Sequence, residues 1–283
     1  MKFSVWLRHP VIVAEKAWGK LRRRLMTLPD TAVMQLINGK VRFEHRLLPF
    51  LDEDDVRAML TQSYDIILCA CLRKRLAEGD IVLDVGANVG YISAVAASCV
   101  GTTGEVHGFE PLTECFDRLQ RLRELNPQFK FKFNNVALGE KEEVLSIAYN
   151  PQGDSRNATL VPDTPSDEAR QVPVRRLDNY IHDTISSPQR IKLIKIDVEG
   201  FEFSVLRGLE RFFAETAWRP LIVCEIKPWQ VTKLGYTMQE FDQYLKRFGY
   251  RCYDMLDQDN PVELPALRDI EVLLFRAEQP RVS

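Results

Sequence analysis

Residues 81–90 read IVLDVGANVG, and this stretch decides the fold. An apolar strand runs into Asp84, Gly86 and Gly90, and an apolar helical segment, YISAVAASCV, follows at once. Glycine accepts a positive φ and lets the backbone approach a ligand closely, while a helix N-terminus adds a positive dipole end. The stretch predicts a strand–turn–helix unit with a ligand at the turn; a tight turn that binds nothing is the alternative.

The spacing of glycines and acids narrows the ligand class. A site for a dinucleotide pyrophosphate favours G-x-G-x-x-G, whereas this chain has G-x-x-x-G with Asp84 two residues before Gly86. A carboxylate there would repel a pyrophosphate but suits the zwitterionic, sulfonium-bearing tail of S-adenosylmethionine. Glu110 ends the next strand, where an acid binds ribose hydroxyls in nucleoside-binding folds, and Pro111 starts the following helix. A solvated charge at the strand end is the alternative for Glu110.

Strand and helix signals alternate from Asp80 onwards. This alternation predicts an α/β fold with a doubly wound, mostly parallel, Rossmann-like sheet. The polar stretch 139–170 is expected to hold a short strand, LSIAY, and a mobile loop over the site. The expected strands are IVLDVG, EVHGFEP, FKFNNVAL, IKLIKID and PLIVCEI, with RCYDML and DIEVLLFRA as a closing pair.

The N-terminal part has a different pattern. Residues 11–28 predict an amphipathic helix, Asn38-Gly39 predicts a hairpin, and two further helices follow, the second ending at Gly79. We therefore expect an N-terminal helix and hairpin extension over residues 1–60 and a Rossmann-like domain over 61–283. Helix 11–28 is interpreted either as packing on the domain or a partner, or as a peripheral membrane contact.

Composition limits the class of protein. The 283 residues are 45% apolar and 28% charged, an ordinary globular balance without an apolar run long enough to span a bilayer or a secretory signal pattern. Six scattered cysteines without a CxxC pair argue against structural zinc or a disulfide framework and favour the cytoplasm. Residues 1–46 carry a formal charge of +7 and the remainder −9, which argues against nucleic-acid binding by the catalytic body.

Further polar residues stand at the expected strand ends. Asn135 and Ala137 follow the third strand, where a small residue admits a flat purine ring; Asn134 and Asn135 as turn formers are the alternative. The segment KLIKIDVEGFE (192–202) delivers Asp197 and Glu199 to the carboxyl edge of the sheet, and Glu225 ends the strand PLIVCEI.

These three acids are the catalytic candidates. If S-adenosylmethionine gives its methyl group to a hydroxyl, a base must take the hydroxyl proton. A carboxylate can be that base only if burial or a neighbouring acid raises its pKa. Two close acids could instead bind a divalent metal, and acids that only cap helices or pair with Lys195 and Arg207 are the structural alternative. The four histidines are interpreted as structural or surface residues.

With these motifs assembled, the chain resembles the FkbM family of methyltransferases over about residues 64–226. The resemblance implies a class I methyltransferase fold, S-adenosylmethionine as donor, and hydroxyl acceptors on sugars or natural products. It places Asp197 and Glu199 beside the reaction centre and implies cofactor contacts for Asp84, Gly86, Asn88, Gly90 and Glu110. Its motifs are VLDVGANVGYIS (82–93), GFEP (108–111), NVALG (135–139), VRRLDNYI (174–181) and IKLIKIDVEGFEFSVLRG (191–208), with the strand ending at Glu225.

The cofactor-binding candidates are Tyr64, Asp84, Gly86, Asn88, Gly90, Tyr91, Glu110, Pro111, Asn135, Ala137 and Asp197, the catalytic candidates are Asp197, Glu199 and Glu225, and no metal is assigned. The acceptor is expected to be a small molecule or glycan, and the sequence leaves the oligomeric state open. A nicotinamide-dependent oxidoreductase and a catalytically silent cofactor-binding scaffold are the competing functions; the missing G-x-G-x-x-G argues against the first.

Overall fold

A helix and a hairpin precede an alternation of strands and helices in the computed structural model, which describes residues 10–27, 33–37, 39–44, 53–149 and 168–277. The N-terminal elements are α1 (Pro10–Leu25), β1 (Val33–Leu36), β2 (Val41–Glu44), α2 (Glu53–Leu60) and α3 (Ile66–Arg75). The alternating part begins with β3 (Ile81–Val85), α4 (Tyr91–Val100), β4 (Glu105–Phe109), α5 (Thr113–Leu125), β5 (Lys130–Asn134), β6 (Ala137–Leu138), β7 (Glu143–Tyr149), β8 (Glu168–Arg175) and α6 (Leu177–Thr184). It continues with β9 (Ile191–Ile196), α7 (Glu202–Arg207), α8 (Glu210–Glu215), β10 (Leu221–Ile226), α9 (Pro228–Lys233), α10 (Met238–Arg247), β11 (Tyr250–Asp254) and β12 (Glu271–Ala277).

Seven strands form the central sheet in the order β11-β12-β10-β9-β3-β4-β5. The five strands from β10 to β5 in this order are parallel, and β12 pairs antiparallel with both β10 and β11. The α/β class with a mostly parallel sheet and the closing pair of strands are thereby confirmed. Because the chain builds β3, β4 and β5 towards one edge and β9 and β10 towards the other, the order reverses between β3 and β9.

The predicted strand FKFNNVAL is wrong as one element. It divides into β5 on the central sheet and β6, which pairs with β8 in a separate sheet of order β6-β8-β7. The side-chain amide of Asn135 donates to the backbone oxygens of Glu110 and Pro111 at 2.9 and 3.0 Å, and thus holds the chain where it leaves the central sheet. The predicted strand LSIAY exists as the longer β7, whereas most of the predicted mobile loop lies outside the described residues.

The core lies on both faces of the sheet. All five residues of β3 are buried, with Ile81, Leu83 and Val85 packed in one apolar cluster and Val82 in the other. This double burial explains the continuous apolar runs in the parallel strands.

The N-terminal elements pack on this body. The predicted hairpin is present as the antiparallel pair β1 and β2, although Asn38 lies outside the described residues. The side-chain amide of Asn126 at the α5 C-terminus donates to the Arg42 oxygen at 2.7 Å. A Cβ on Gly19 of α1 would lie 2.5 Å from the Cβ of Ser63, so the helix approaches the body closely there. Helix α3 ends at Arg75 and not at Gly79, because Leu76 is extended. Among the described residues, no helix is long and apolar enough to cross a membrane.

Candidate active site

A cavity of about 500 Å³ lies at the carboxyl ends of β3, β4 and β9. It is at the point where the strand order reverses, which is where open α/β sheets bind their ligands. Its volume is within the range of sites for drug-sized ligands. The sheet topology therefore selects the same edge that the sequence motifs predicted.

The glycine loop, residues 86–90, forms the floor of the cavity. Gly86 has φ +77°, and a Cβ there would lie 1.8 Å from the backbone oxygen of Asp197. Gly90 also has a positive φ, but it faces inwards, because a Cβ there would lie 2.8 Å from Leu119 and Leu122. Gly86 thus brings two strand ends together, and Gly90 seats the loop on helix α5.

Asp84 lies beneath the glycine loop and not on the cavity wall. It is fully buried, accepts a 2.6 Å hydrogen bond from the Ser93 hydroxyl, and lies 3.4 Å from the Lys195 ammonium. Lys195 in turn donates to the Gly86 oxygen at 2.6 Å and lies 3.7 Å from Asp197. Burial alone would lower the pKa of Lys195, but Asp84 and Asp197 outweigh it and hold that pKa above its ordinary value. Asp84 therefore acts on the cavity through Lys195.

Glu110 closes one end of the glycine loop. Its carboxylate accepts the backbone N–H of Asn88 at 2.9 Å and that of Leu112 at 3.0 Å. Burial raises the pKa of Glu110 to about 7, and the two backbone donors oppose that rise. The two donors fix the carboxylate against the cavity wall, and each oxygen retains further acceptor capacity.

Asp197, Glu199 and Glu225 form the acid cluster at the ends of β9 and β10. One oxygen from each lies within 4.8 Å of the others. Burial raises the pKa of Glu199 to about 7, with Asp197 adding to the rise and the Lys227 ammonium opposing it. Burial and Asp197 likewise raise the pKa of Glu225. The Lys227 ammonium contacts Glu199 and lies 3.2 Å from Glu225, so one cation already forms ion pairs with both acids.

Backbone strain concentrates at the cavity. Five residues other than glycine have a positive φ in the described part of the chain, and three of them, Asp65, Asn88 and Glu199, line the cavity. A left-handed conformation costs such residues on the order of 1 kcal/mol or more and persists where the surroundings enforce it. Glu202 enforces it at Glu199, because its buried carboxylate accepts the backbone N–H groups of Val198 and Gly200 at 3.2 and 2.9 Å.

The N-terminal extension supplies part of the wall. Arg23 of α1, Asp55 of α2, and Tyr64 and Asp65 at the start of α3 all line the cavity. Burial raises the pKa of Asp65. Six acids and two bases border the cavity altogether, so it favours a ligand that carries a positive charge over an anionic one: Asp55, Asp65, Glu110, Asp197, Glu199 and Glu225 against Arg23 and Lys195.

Most of the residues predicted from the sequence meet at this cavity. Asp84, Gly90 and Asn135 support the wall from behind, as described above. The structural alternative for the three acids is that they only pair with Lys195 and Arg207. Lys195 does lie beside Asp197, but Arg207 pairs with Glu140 at 2.6 Å and not with the three acids. The predicted residues that line the cavity are Tyr64, Gly86, Asn88, Tyr91, Glu110, Pro111, Ala137, Asp197, Glu199 and Glu225.

Sequence reasoning missed Lys227, Asp65 and Arg23 at the site. Lys195, which the sequence suggested only as an ion-pair partner of the acids, also lies on the cavity wall. Its sequence signal is a lysine in the middle of an apolar strand. His107, by contrast, is buried inside β4 with its Nδ1 2.9 Å from the Tyr180 hydroxyl, away from the cavity.

The family model of the methyltransferase FkbM domain matches residues 84–252, a range that begins within β3, ends within β11 and includes the acid cluster. The chain belongs to the FkbM methyltransferase family. The matched region coincides with the alternating strands and helices of the central sheet, so the methyltransferase domain is the part of the chain that builds most of the cavity.

Two curated relatives are methyltransferases by name. Methyltransferase 1 of Beauveria bassiana (strain ARSEF 2860) is 25% identical over 151 residues, covering 47% of this chain and 59% of the relative. Methyltransferase sdnD of Sordaria araneosa is 25% identical over 183 residues, covering 55% and 68%. The matched part thus spans less than two thirds of the first relative.

Two solved structures are similar in part. A putative rRNA methylase from Clostridium thermocellum has a TM-score of 0.45 at 14% identity, covering 75% of this chain and 94% of that one. Fibrillarin from Aeropyrum pernix, solved with natively bound S-adenosyl-L-methionine, has a TM-score of 0.41 at 14% identity, covering 74% and 73%.

Proposed function

We propose that this FkbM-family enzyme is an O-methyltransferase that acts on a hydroxyl of a sugar, glycan or natural-product acceptor. One observation carries the proposal: Glu199 lies on the cavity wall within 4.8 Å of Asp197 and Glu225, in a buried position that raises its pKa to about 7. A general base works best when its pKa lies near the operating pH. A hydroxyl acceptor requires such a base, because its proton must leave as the oxygen–methyl bond forms.

The residues that line the cavity fit S-adenosylmethionine, the proposed methyl donor. The buried Tyr91 hydroxyl on the cavity wall has no hydrogen-bond partner within the described residues, so a ligand can supply one. The acidic lining suits the sulfonium charge. We assign Glu110 and Asn88 to the ribose side and Ala137 with Pro111 to the purine side, since small and apolar groups accept a flat ring. Tyr64, Tyr91, Gly86 and Asp197 complete the proposed contacts, and Asp84, Gly90 and Asn135 support them from behind.

The protein's own part in the reaction is positioning and proton transfer. When bound, the donor supplies an electrophilic methyl carbon; the bond to sulfur breaks and its electron pair returns to sulfur. Glu199 accepts the hydroxyl proton, while burial, with Asp197 and Glu225, keeps its pKa high and Lys227 holds its carboxylate in place. The acid lining also disfavours a phosphate-bearing acceptor, which supports a neutral hydroxyl and argues against nucleic acid.

The test compares Glu199→Gln with Glu215→Gln, whose side chain is exposed on α8 away from the cavity. Transfer of labelled methyl to a panel of hydroxylated acceptors should fall by roughly 10²–10⁴-fold in E199Q and stay unchanged in E215Q. Calorimetry should show S-adenosylmethionine binding in both variants. For the unmodified enzyme, kcat/KM should rise with pH until Glu199 ionises near pH 7.

Two results would contradict the assignment of Glu199: equal rates in the two variants, or a pH profile in E199Q that keeps the same rise. An assay with a chelator tests whether the acid cluster binds a divalent metal instead. Because the Lys227 ammonium already pairs with Glu199 and Glu225, chelation should leave the rate unchanged, and a lost rate restored by divalent metal would assign the cluster to a metal instead.

The location of the enzyme is a separate proposal. All six cysteines are free, and five of them are buried. Free thiols suit a reducing compartment, so we propose the cytoplasm. Localisation of a tagged full-length chain tests this directly.

A further inference from the structure

Helix α1 leaves an apolar stripe exposed although the helix is packed on the body. Of the nine large apolar side chains that are exposed in the described part of the chain, five lie on this helix. Val11, Trp18, Leu21 and Leu25 follow steps of seven, three and four residues, so they share one helix face, and Trp18 and Leu25 are 60% and 76% exposed. Such concentration on one short element marks an interaction surface.

A different face of α1 contacts the body. Gly19 packs against Ser63, the Arg23 guanidinium lies 3.9 Å from Asp54, and Ile12 is half-buried. The body therefore already satisfies one side of the helix, and the stripe is not what attaches it. Among the described residues nothing covers the stripe, so it is open to a partner of suitable chemistry.

The charge of the helix selects that partner. Residues 10–25 carry five bases and one acid, and Lys20, Arg22 and Arg24 are exposed, whereas the rest of the chain carries a net negative charge. A second copy pairing through the same stripe would bring two strongly basic helices together. An amphipathic helix with tryptophan and leucine on one face and bases beside them binds an anionic lipid surface in plane.

We propose that α1 docks the enzyme on an anionic lipid surface through Val11, Trp18, Leu21 and Leu25. With 16 residues and five bases, the helix lies on the membrane and does not cross it. Arg23 of the same helix borders the cavity, so the cavity wall would stand about one helix diameter, ~10 Å, from the lipid. The proposal does not depend on the identity of the acceptor.

Vesicle sedimentation of the full-length chain tests the proposal. The chain should sediment with vesicles of phosphatidylcholine and phosphatidylserine, release at high salt, and remain in the supernatant with phosphatidylcholine alone. Trp18→Gln with Leu21→Gln, and separately Lys20→Glu with Arg24→Glu, should each weaken binding by at least about tenfold.

Val144→Gln with Ile270→Gln is the matched control, because both side chains are exposed and lie outside α1. The control should bind like the unmodified chain, and circular dichroism should show that all variants keep their thermal midpoint. The proposal is overturned if the unmodified chain does not sediment with anionic vesicles, or if the stripe variant binds as well as the control. It is also overturned if the stripe variant abolishes a dimer in light scattering while vesicle binding is unchanged.

Discussion

At the glycine loop, the Glu110 carboxylate receives two backbone N–H donors, whereas in the acid cluster Glu199 and Glu225 share the ammonium of Lys227. Burial raises the pKa of both Glu110 and Glu199 to about 7, so the pKa does not distinguish them. Their partners do. Two backbone donors fix the Glu110 carboxylate, which suits binding, whereas burial and the neighbouring acids raise the pKa of Glu199, which suits proton transfer.

Lys195 links the two regions. Its ammonium contacts Asp84 beneath the glycine loop and Asp197 in the acid cluster, and it donates to the Gly86 oxygen. One buried cation therefore fixes the distance between the proposed binding side and the proposed catalytic side. Substitutions at Lys195 and in each region therefore test the two roles separately.

The largest effect is expected from breaking the link. Lys195→Met leaves Asp84 buried without its cation and should lower the free energy of unfolding by about 3–5 kcal/mol. Lys192→Met, on the same strand but half-buried, should cost less than about 1 kcal/mol. Urea denaturation of both variants measures the difference, and equal losses would show that Lys195 does not hold the two regions together.

A smaller effect is expected on the glycine-loop side alone. Glu110→Ala removes the acceptor of the Asn88 and Leu112 N–H groups and the proposed ribose contact. Binding of S-adenosylmethionine should weaken by about 1.5–3 kcal/mol, the contribution of a hydrogen bond to a charged group. Glu124→Ala, exposed on α5, is the control and should bind normally in calorimetry. Unchanged affinity in E110A would remove Glu110 from the binding side.

The difference between the regions also explains what the sequence could predict. The glycine loop is a local pattern: strand, acid, glycines and helix lie within a few residues of one another, so periodicity and spacing locate it. Even there, the sequence did not show that Asp84 points beneath the loop. Asp84 pairs in register with Lys195 on β9, and this contact requires knowing that β3 and β9 are neighbours.

The acid cluster was predictable only in part, for the same reason. Asp197 and Glu225 end apolar strands, so their place at the sheet edge followed from the pattern. Lys227 and Asp65 lie immediately before helices α9 and α3. Their position at the site follows only from how these helices pack beside the strand ends. The predicted strand over residues 131–138 is interrupted at Asn135, whose side-chain amide donates to the backbone oxygens of Glu110 and Pro111 where the chain leaves the central sheet.

The smallest effect concerns Tyr91, which begins the helix after the glycine loop. Its buried hydroxyl has no hydrogen-bond partner among the described residues, while its ring packs edge-on against Tyr64 with centroids 5.4 Å apart. Tyr91→Phe keeps the ring, so the free energy of unfolding should rise by up to about 1 kcal/mol, and affinity for S-adenosylmethionine should fall by about 3–10-fold. Tyr180→Phe is the matched control, because its hydroxyl lies 2.9 Å from His107 and its removal should destabilise the chain. The opposite signs separate a hydroxyl kept for a ligand from one kept for the fold. If both variants lose stability equally, Tyr91 belongs to the fold, and the binding side of the cavity would then rest on Glu110 and Asn88.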